Sequence, residues 1–237
     1  MYKKLYLKKG KEESLKRFHP WIFSGAVANV DEGVEEGELV RVITASGDFI
    51  AVGMFQIGSI AVRVLSFRDV EIDAEFWESR LSSAWEMRKA IGLIGRENNN
   101  TFRLVHGEGD NLPGLIIDCY GDTAVMQAHS VGMHVYRNEI CEALVKVAGG
   151  EIANVYYKSE TTLPFKADIE HENGFIYGSM GSDVAMENGL NFHIDWLKGQ
   201  KTAYEIWQGL VGSEMCIRDR GSGEIPNELG DSWFSPK

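Results

Sequence analysis

Residues 39–67 read LVRVITASGDFIAVGMFQIGSIAVRVLSF, and this stretch decides the fold predicted for the first part of the chain. Three short strands rich in Val, Ile and Phe are predicted in it, at Leu39–Ile43, Phe49–Phe55 and Ala61–Phe67. The turn-forming residues ASGD at 45–48 and QIGS at 56–59 join them. Strands this short and closely spaced predict a small β-barrel of about 70 residues with its own core.

From Asp73 onward apolar residues recur every three or four positions, which predicts a helix with Asp73 as its N-cap. A second helix is predicted over Val131–Val147, before Gly149 and Gly150. The strands predicted in this part are Phe102–His106, Leu115–Cys119, Thr123–His129, Asn154–Lys158, Gly174–Tyr177 and Val184–Glu187. Helices and strands in this order predict an α+β fold class and not an alternating parallel α/β unit.

Composition places the chain among ordinary globular proteins. Its 237 residues are 44% hydrophobic and 25% charged, with a net charge of −11. No apolar run approaches the roughly 18 residues of a membrane span, and the N-terminus has no signal-peptide core. Cys119, Cys141 and Cys216 form neither a disulfide framework nor a CxxC metal site. These features predict a cytoplasmic protein with no membrane partner.

The charge is concentrated unevenly along the chain. The first 17 residues contain seven Lys and Arg against two Glu, a local balance of +5. Such a basic stretch is what a polyanionic partner requires, and its candidate contacts are Lys8, Lys9, Lys16 and Arg17. The alternative interpretation is a solvated edge, since lysines also keep exposed strands from pairing with other chains.

The segment KRFHPWIFSG at residues 16–25 adds aromatic side chains to this basic stretch. RNA is commonly held by cations on its phosphates and by aromatic planes on its unstacked bases, so His19 joins the candidate RNA-binding residues. The alternative is that Trp21 and Phe23 anchor the chain on the barrel core. We expect the aromatic side chains to be mainly structural and Arg17 and the lysines to be mainly exposed.

No residue pattern indicates a catalytic or metal site. Cys119 and Cys141 stand in apolar segments with no basic cluster or neighbouring His to lower their pKa, so buried structural thiols are predicted. Glu108, Asp110 and Asp118 surround one loop and allow a small-molecule enzyme as a further alternative, but nothing in the sequence makes them converge.

Three motifs in order resemble one protein family. They are RFHPWIFSGA at 17–26, FRLVHGEGDNLPGLIIDCYGD at 102–122 and ENGLNFHIDWLKGQKT at 187–202. Over residues 1–202 the chain resembles the S-adenosylmethionine-dependent cytosine-C5 methyltransferases of large-subunit ribosomal RNA, which carry an N-terminal PUA domain. In that family a cysteine thiolate attacks cytosine C6, and C5 then accepts the methyl group.

The resemblance implies a domain organisation. It consists of a PUA-like RNA-binding barrel at 1–70, an α+β central domain at 71–190, the opening segment of a truncated methyltransferase domain at 191–202, and a tail at 203–237. Gln200 and Lys201 fall at the edge of the cofactor site. The match stops at Ala203, and VGSEMCIRDR at 211–220 resembles a translated sequencing adapter, so the tail is expected to be artefactual or disordered.

Because the family's glycine loop and catalytic cysteines lie beyond the match, the Rossmann-like methyltransferase domain is expected to be missing. No cofactor is expected to bind this chain, and no catalytic residue is assigned. The predicted function is therefore the N-terminal RNA-binding portion of an rRNA methyltransferase, itself not catalytic, with structured RNA, namely large-subunit ribosomal RNA, as partner. The alternative is a stand-alone, non-catalytic PUA-type RNA-binding or adaptor protein.

Overall fold

A computed structural model describes residues 2–164 and 173–194. The first part is a six-stranded sheet in the order β2-β6-β5-β4-β1-β3. Its strands are β1 (Lys3–Leu7), β2 (Trp21–Phe23), β3 (Val27–Val30), β4 (Leu39–Ile43), β5 (Phe49–Phe55) and β6 (Ile60–Ser66). The three strands predicted from the sequence are confirmed: β4 and β5 have the predicted bounds, and β6 begins and ends one residue earlier.

The six-stranded sheet is mixed, because β1 runs parallel to β4 while its other pairs are antiparallel. One face buries an apolar cluster that includes Leu5, Val42 and Val64. The 3-10 turn Leu15–Arg17 places Leu15 in this cluster. The turn ends at Phe18, whose φ of 61° is left-handed and unusual for a bulky side chain.

The second part begins with α1 (Ala74–Ala90), and Asp73 caps it as predicted by accepting a 2.9 Å hydrogen bond from the Phe76 N–H. A five-stranded sheet follows in the order β11-β10-β9-β8-β7. Its strands are β7 (Thr101–His106), β8 (Leu115–Tyr120), β9 (Thr123–Ala128), β10 (Asn154–Tyr157) and β11 (Gly174–Tyr177). A two-stranded hairpin, β12 (Val184–Glu187) and β13 (Leu190–His193), completes the described residues.

The connection between β9 and β10 corrects the predicted α+β arrangement. Two helices, α2 (Val131–Val135) and α3 (Arg137–Ala148), fill this connection, and β10 pairs with β9 in parallel. The chain therefore contains the βαβ unit that the sequence analysis had excluded. A parallel pair of strands needs a connection of a dozen or more residues, and here α2 and α3 form it. The sequence predicted one continuous helix over this connection, whereas the structure has two helices separated at Tyr136.

The two sheets share a core. Leu39, Val52, Met54 and Leu65 of the six-stranded sheet belong to the same buried cluster as Trp77 and the helices of the second part. The packing is tight at Gly132 in α2, where an added Cβ would lie only 2.6 Å from the Met54 Cβ. The first sheet thus has a cluster of its own on one face and a joint core with the second part on the other.

Several predictions concern residues outside the described part of the chain. These are Gln200 and Lys201, Cys216, the greater part of the 191–202 segment, and the 203–237 tail. Among residues 2–164 and 173–194, no helix is long and apolar enough to cross a membrane.

Candidate nucleic-acid interface

Lys8 and Lys9 follow β1 directly, and Lys16 and Arg17 lie in the 3-10 turn Leu15–Arg17. Lys8 and Lys9 are exposed, and the Lys8 Nζ donates to the Gly25 carbonyl at 3.1 Å. Arg17 is exposed and donates from Nε to the Glu13 carbonyl at 3.3 Å. Both of these contacts are made to neutral carbonyl oxygens, which do not neutralise the charge of the side chain.

Lys16 differs from the other three cations because it is paired. Its Nζ lies 2.7 Å from Glu13 Oε1 and 3.9 Å from Glu12 Oε1. A solvent-exposed pair of this kind is weak and screened by salt, but it offsets the local charge that Lys16 presents. The predicted basic residues therefore do not all present the same net charge to a partner.

Strand β2 divides its three residues between the core and the surface. Ile22 is 3% exposed, whereas Phe23 is 49% exposed and Trp21 is partly exposed on the same side. The expectation that Trp21 and Phe23 anchor the chain in the core is therefore wrong for Phe23, and Ile22 is the anchor. The cause is strand alternation, which puts positions 21 and 23 on one face and position 22 on the other.

His19, Trp21 and Phe23 form a compact group of rings, which we call the aromatic cluster. The centroids lie 6.0 Å apart for His19 and Trp21, 6.1 Å for His19 and Phe23, and 6.3 Å for Trp21 and Phe23. The rings of Trp21 and Phe23 meet edge to face at 88°. The Trp21 backbone N–H lies 3.1 Å from His19 Nδ1, which ties the imidazole to the strand.

A pocket of about 300 Å³ opens beside the aromatic cluster. The residues that line it are Lys11, Ser14, Leu15, Trp21, Ile22, Phe23, Gly25 and Ala26. It combines two aromatic walls with one cation, and Lys8 reaches its rim through the bond to Gly25. Sequence reasoning missed Lys11 and the pocket.

The aromatic cluster is fixed from the second part of the molecule. The Trp21 indole Nε1–H donates to Glu108 Oε1 at 2.8 Å, from the 3-10 turn Gly107–Asp110 that follows β7. Trp21 is paired across the sheet with Arg63, which donates to Gln56 Oε1 at 2.6 Å and feels the Glu108 charge. The 87 positions between Trp21 and Glu108 put this bond beyond sequence reasoning.

Next to this bond, further polar groups line the junction of the two parts. Burial lowers the pKa of His129, and the charges of Arg103 and Arg63 lower it further, so this imidazole is mostly neutral at pH 7. Burial also lowers the pKa of Arg63, which nevertheless remains charged. The junction therefore mixes positive groups with the Glu108 carboxylate and is not a simple basic patch.

The candidate catalytic residues of the sequence occupy structural positions. Cys119 and Cys141 are buried, and burial raises the pKa of both thiols, that of Cys141 to about 11. Neither is poised as a thiolate at neutral pH. These two described cysteines are structural, as predicted.

The three carboxylates that suggested a small-molecule enzyme are engaged in ion pairs or a hydrogen bond. Asp110 binds the buried Arg88 guanidinium through both oxygens, and Asp118 binds Arg103 in the same way. Glu108 holds Trp21. Within the described ranges no three His, Cys, Asp or Glu residues are grouped to hold a metal ion. The loop thus gives the small-molecule enzyme alternative no convergent acid–base pair.

Comparison with known proteins first identifies the class of the N-terminal part. The family described as PUA-like domain matches residues 5–67. These residues span β1 to β6 and include the 3-10 turn and the aromatic cluster. The first sheet is therefore the part of the chain that is similar to PUA-like domains.

Individual relatives match a larger part of the chain than the PUA-like family does. It is 35% identical over 209 residues to "Ribosomal RNA large subunit methyltransferase I" of Tolumonas auensis, covering 86% of this chain and 52% of that protein. The protein of the same description from Klebsiella pneumoniae is 34% identical over 212 residues, covering 88% and 52%. The chain thus spans about half the length of the curated relatives it matches.

Solved structures share the fold. A putative SAM-dependent methyltransferase from Streptococcus mutans aligns with a TM-score of 0.66 and 19% identity, covering 81% of this chain and 48% of that one. A second putative methyltransferase, solved in complex with SAH, aligns with the same score and 20% identity. The expectation that a methyltransferase fold is missing is therefore wrong. It equated that fold with residues beyond Thr202, whereas 81% of this chain already aligns with solved structures described as putative methyltransferases.

The expectation that no cofactor binds is overturned by the same structures, since both are described as putative methyltransferases and one is in complex with SAH. The described residues do not themselves form a nucleoside cradle at the β9–α2 turn. Gly132 there is packed against Met54, and the Ser130 hydroxyl accepts from the Met133 N–H. Gln200 and Lys201, predicted at the edge of the cofactor site, lie outside the described residues.

Proposed function

We propose that the chain acts in an S-adenosylmethionine-dependent methyltransferase of large-subunit ribosomal RNA and supplies RNA-binding surface through its PUA-like domain. The observation that carries the proposal is the 35% identity over 86% of the chain to a protein described as such an enzyme. Exposed Lys8, Lys9 and Arg17, next to an exposed aromatic cluster, support the RNA-binding role.

In this proposal the chain's own residues bind and orient RNA. Lys8, Lys9, Lys16 and Arg17 contact phosphates, while His19 lies where the basic stretch meets the aromatic cluster. Phosphate contacts release counterions and therefore set affinity without reading sequence. S-adenosylmethionine supplies the methyl group when it is bound.

The finer part of the proposal is that the methylated atom is C5 of a cytosine, as the motif resemblance implies. That chemistry requires a reactive thiolate. Cys119 and Cys141 do not fit this role, because both are buried and their pKa values are raised. The proposal therefore places the nucleophile outside these two residues.

Methyl transfer is tested by incubating the protein with radiolabelled S-adenosylmethionine and undermethylated large-subunit ribosomal RNA. The expected result is label in the RNA and 5-methylcytidine after digestion to nucleosides. Label in another nucleoside would contradict the cytosine assignment alone. Cofactor binding without RNA is measured separately by calorimetry, and failure of both binding and transfer would overturn the enzymatic proposal.

RNA binding is tested with charge-matched variants. Lys8→Ala/Lys9→Ala removes two exposed charges from the predicted surface, and Lys89→Ala/Arg96→Ala removes two exposed charges from the end of α1 and the loop after it. The first pair is expected to weaken binding to all RNA sequences alike and to lower the slope of log K against log salt by about one per lost phosphate contact. The control pair is expected to leave both unchanged. Equal effects of the two pairs would contradict the assigned surface.

Lys16→Ala/Arg17→Ala adds a finer test within the basic stretch. Because Lys16 is already paired with Glu13 and Glu12, this double variant is expected to change the salt slope less than Lys8→Ala/Lys9→Ala does. A larger change would show that RNA displaces these carboxylates from Lys16.

A further inference from the structure

The aromatic cluster has a use that phosphate contacts do not explain. A folded protein usually buries large aromatic side chains, yet Phe23 is 49% exposed on a strand whose middle residue is fully in the core. Phe23 also shares a wall of the 300 Å³ pocket with Trp21. The two rings meet edge to face, and aromatic side chains that line an open pocket suit a flat, aromatic ligand.

The cations around the pocket indicate the charge of that ligand. Lys11 lines it, and Lys8 is held at its rim by the bond to Gly25. No acidic residue is among those that line the pocket in the described chain. A flat aromatic group attached to a negative backbone is complementary to this combination.

We propose that the pocket lined by Trp21 and Phe23 takes an unpaired RNA base, with its phosphates on Lys8 and Lys11. This deepens the proposed function and rests on it, because it names single-stranded or unpaired nucleotides as the class of RNA that the surface prefers. In duplex RNA the bases are stacked and cannot enter such a pocket.

Glu108 is a positioning residue for this pocket. Its carboxylate accepts the indole N–H of Trp21 and so fixes one wall from the second part of the molecule. A glutamine at position 108 retains a hydrogen-bond acceptor, whereas an alanine leaves the indole free to turn. The carboxylate is not itself required to touch RNA.

The principal test compares single-stranded RNA with a duplex of the same sequence, both labelled with fluorescein and titrated with the full chain. Phe23→Ala is expected to weaken single-stranded binding about tenfold, the usual scale for loss of one stacked base, and to leave duplex binding unchanged. The salt slope is expected to stay constant, because no cation is removed. Phe23→Tyr keeps the ring and is expected to bind like the native chain.

Phe18→Ala is the matched control. Phe18 is 72% exposed and meets Phe67 edge to face, but it does not line the pocket. Its replacement is expected to leave both affinities unchanged. Equal losses for Phe18→Ala and Phe23→Ala, or equal losses for single-stranded and duplex RNA, would overturn the proposal, as would unchanged single-stranded binding by Phe23→Ala.

Glu108 provides a second readout. Glu108→Ala is expected to weaken single-stranded binding severalfold, and Glu108→Gln is expected to retain it. Loss in both variants would show that the charge, and not the position of the indole, matters. If the lysine variants weaken binding while Phe23→Ala does not, the base pocket is refuted and the RNA-binding function stands. If the native chain binds no RNA, both the base pocket and the proposed RNA-binding function are refuted.

Discussion

At the scale of single residues, the two buried cysteines make a reactivity prediction. Burial keeps the Cys119 and Cys141 thiols protonated well above neutral pH. In a Cys216→Ser variant, which leaves only these two thiols, we expect no rapid reaction with a colorimetric disulfide reagent at pH 8. After unfolding in guanidinium two thiols should react. Rapid reaction of either thiol in the folded protein would contradict its assignment as structural.

Asp118 gives a pH prediction at the same scale. Burial raises the pKa of its carboxyl group, and Arg103 only partly opposes this. An acid whose pKa is higher in the folded state destabilises the fold at neutral pH, and that penalty falls as the pH drops toward the ordinary carboxyl value near about 4.

The measurement for Asp118 is a difference between two proteins. We expect the free energy of unfolding of the native chain, relative to Asp118→Asn, to increase as the pH is lowered from about 7 to about 4. Asparagine does not titrate, so the variant lacks the contribution of Asp118. The contributions of the other carboxyl groups are the same in both proteins and cancel in the difference. A relative decrease over the same interval would mean that the Arg103 pair outweighs burial.

At the scale of elements, the contact of α2 with the first sheet is closely packed. An alanine Cβ at position 132 would lie within 2.7 Å of the Met54 Cβ, Cγ and Sδ. Gly132→Ala is therefore expected to lower the free energy of unfolding by about 1–3 kcal/mol, as overpacking does. Gly174→Ala is the control, since its Cβ would meet nothing within 4 Å and its φ is not left-handed. Chemical denaturation compares the two, and equal stabilities would contradict the packing at α2.

Sequence reasoning predicted the elements with strong local patterns. Strands β4, β5 and β11 have the predicted bounds, because apolar runs between turn residues mark them. Strands β1 and β2 were not predicted, since one is rich in lysine and the other has three residues. The α2–α3 break was missed because the apolar spacing continues across Tyr136.

The candidate site was predictable in part for similar reasons. The basic residues are visible in composition, and the pairing of Lys16 with Glu13 follows from their spacing of three. The outward direction of Phe23 also follows from strand alternation once β2 is placed. The pocket and the Trp21–Glu108 bond depend on tertiary contacts, which no local pattern encodes.

At the scale of the whole molecule, the joint core predicts cooperative unfolding. Ile22 belongs to the cluster of the first sheet, while β9 lies in the second. Ile22→Ala is expected to accelerate hydrogen exchange at the β9 amides. The decrease in their free energy of opening is expected to equal the decrease in the global free energy of unfolding. Unchanged exchange in β9, with β2 opening alone, would show two independently unfolding parts.

The Gly132–Met54 contact also bears on how such proteins can be recombined. A PUA-like sheet taken from a relative and joined to this chain at residue 70 would bring its own side chain at the position of Met54, against an α2 that has no space to adjust. Chimeras cut at that sequence boundary are therefore expected to fold poorly unless α2 is exchanged together with the sheet. The unit that can be transferred between relatives extends past the PUA-like domain to include α2.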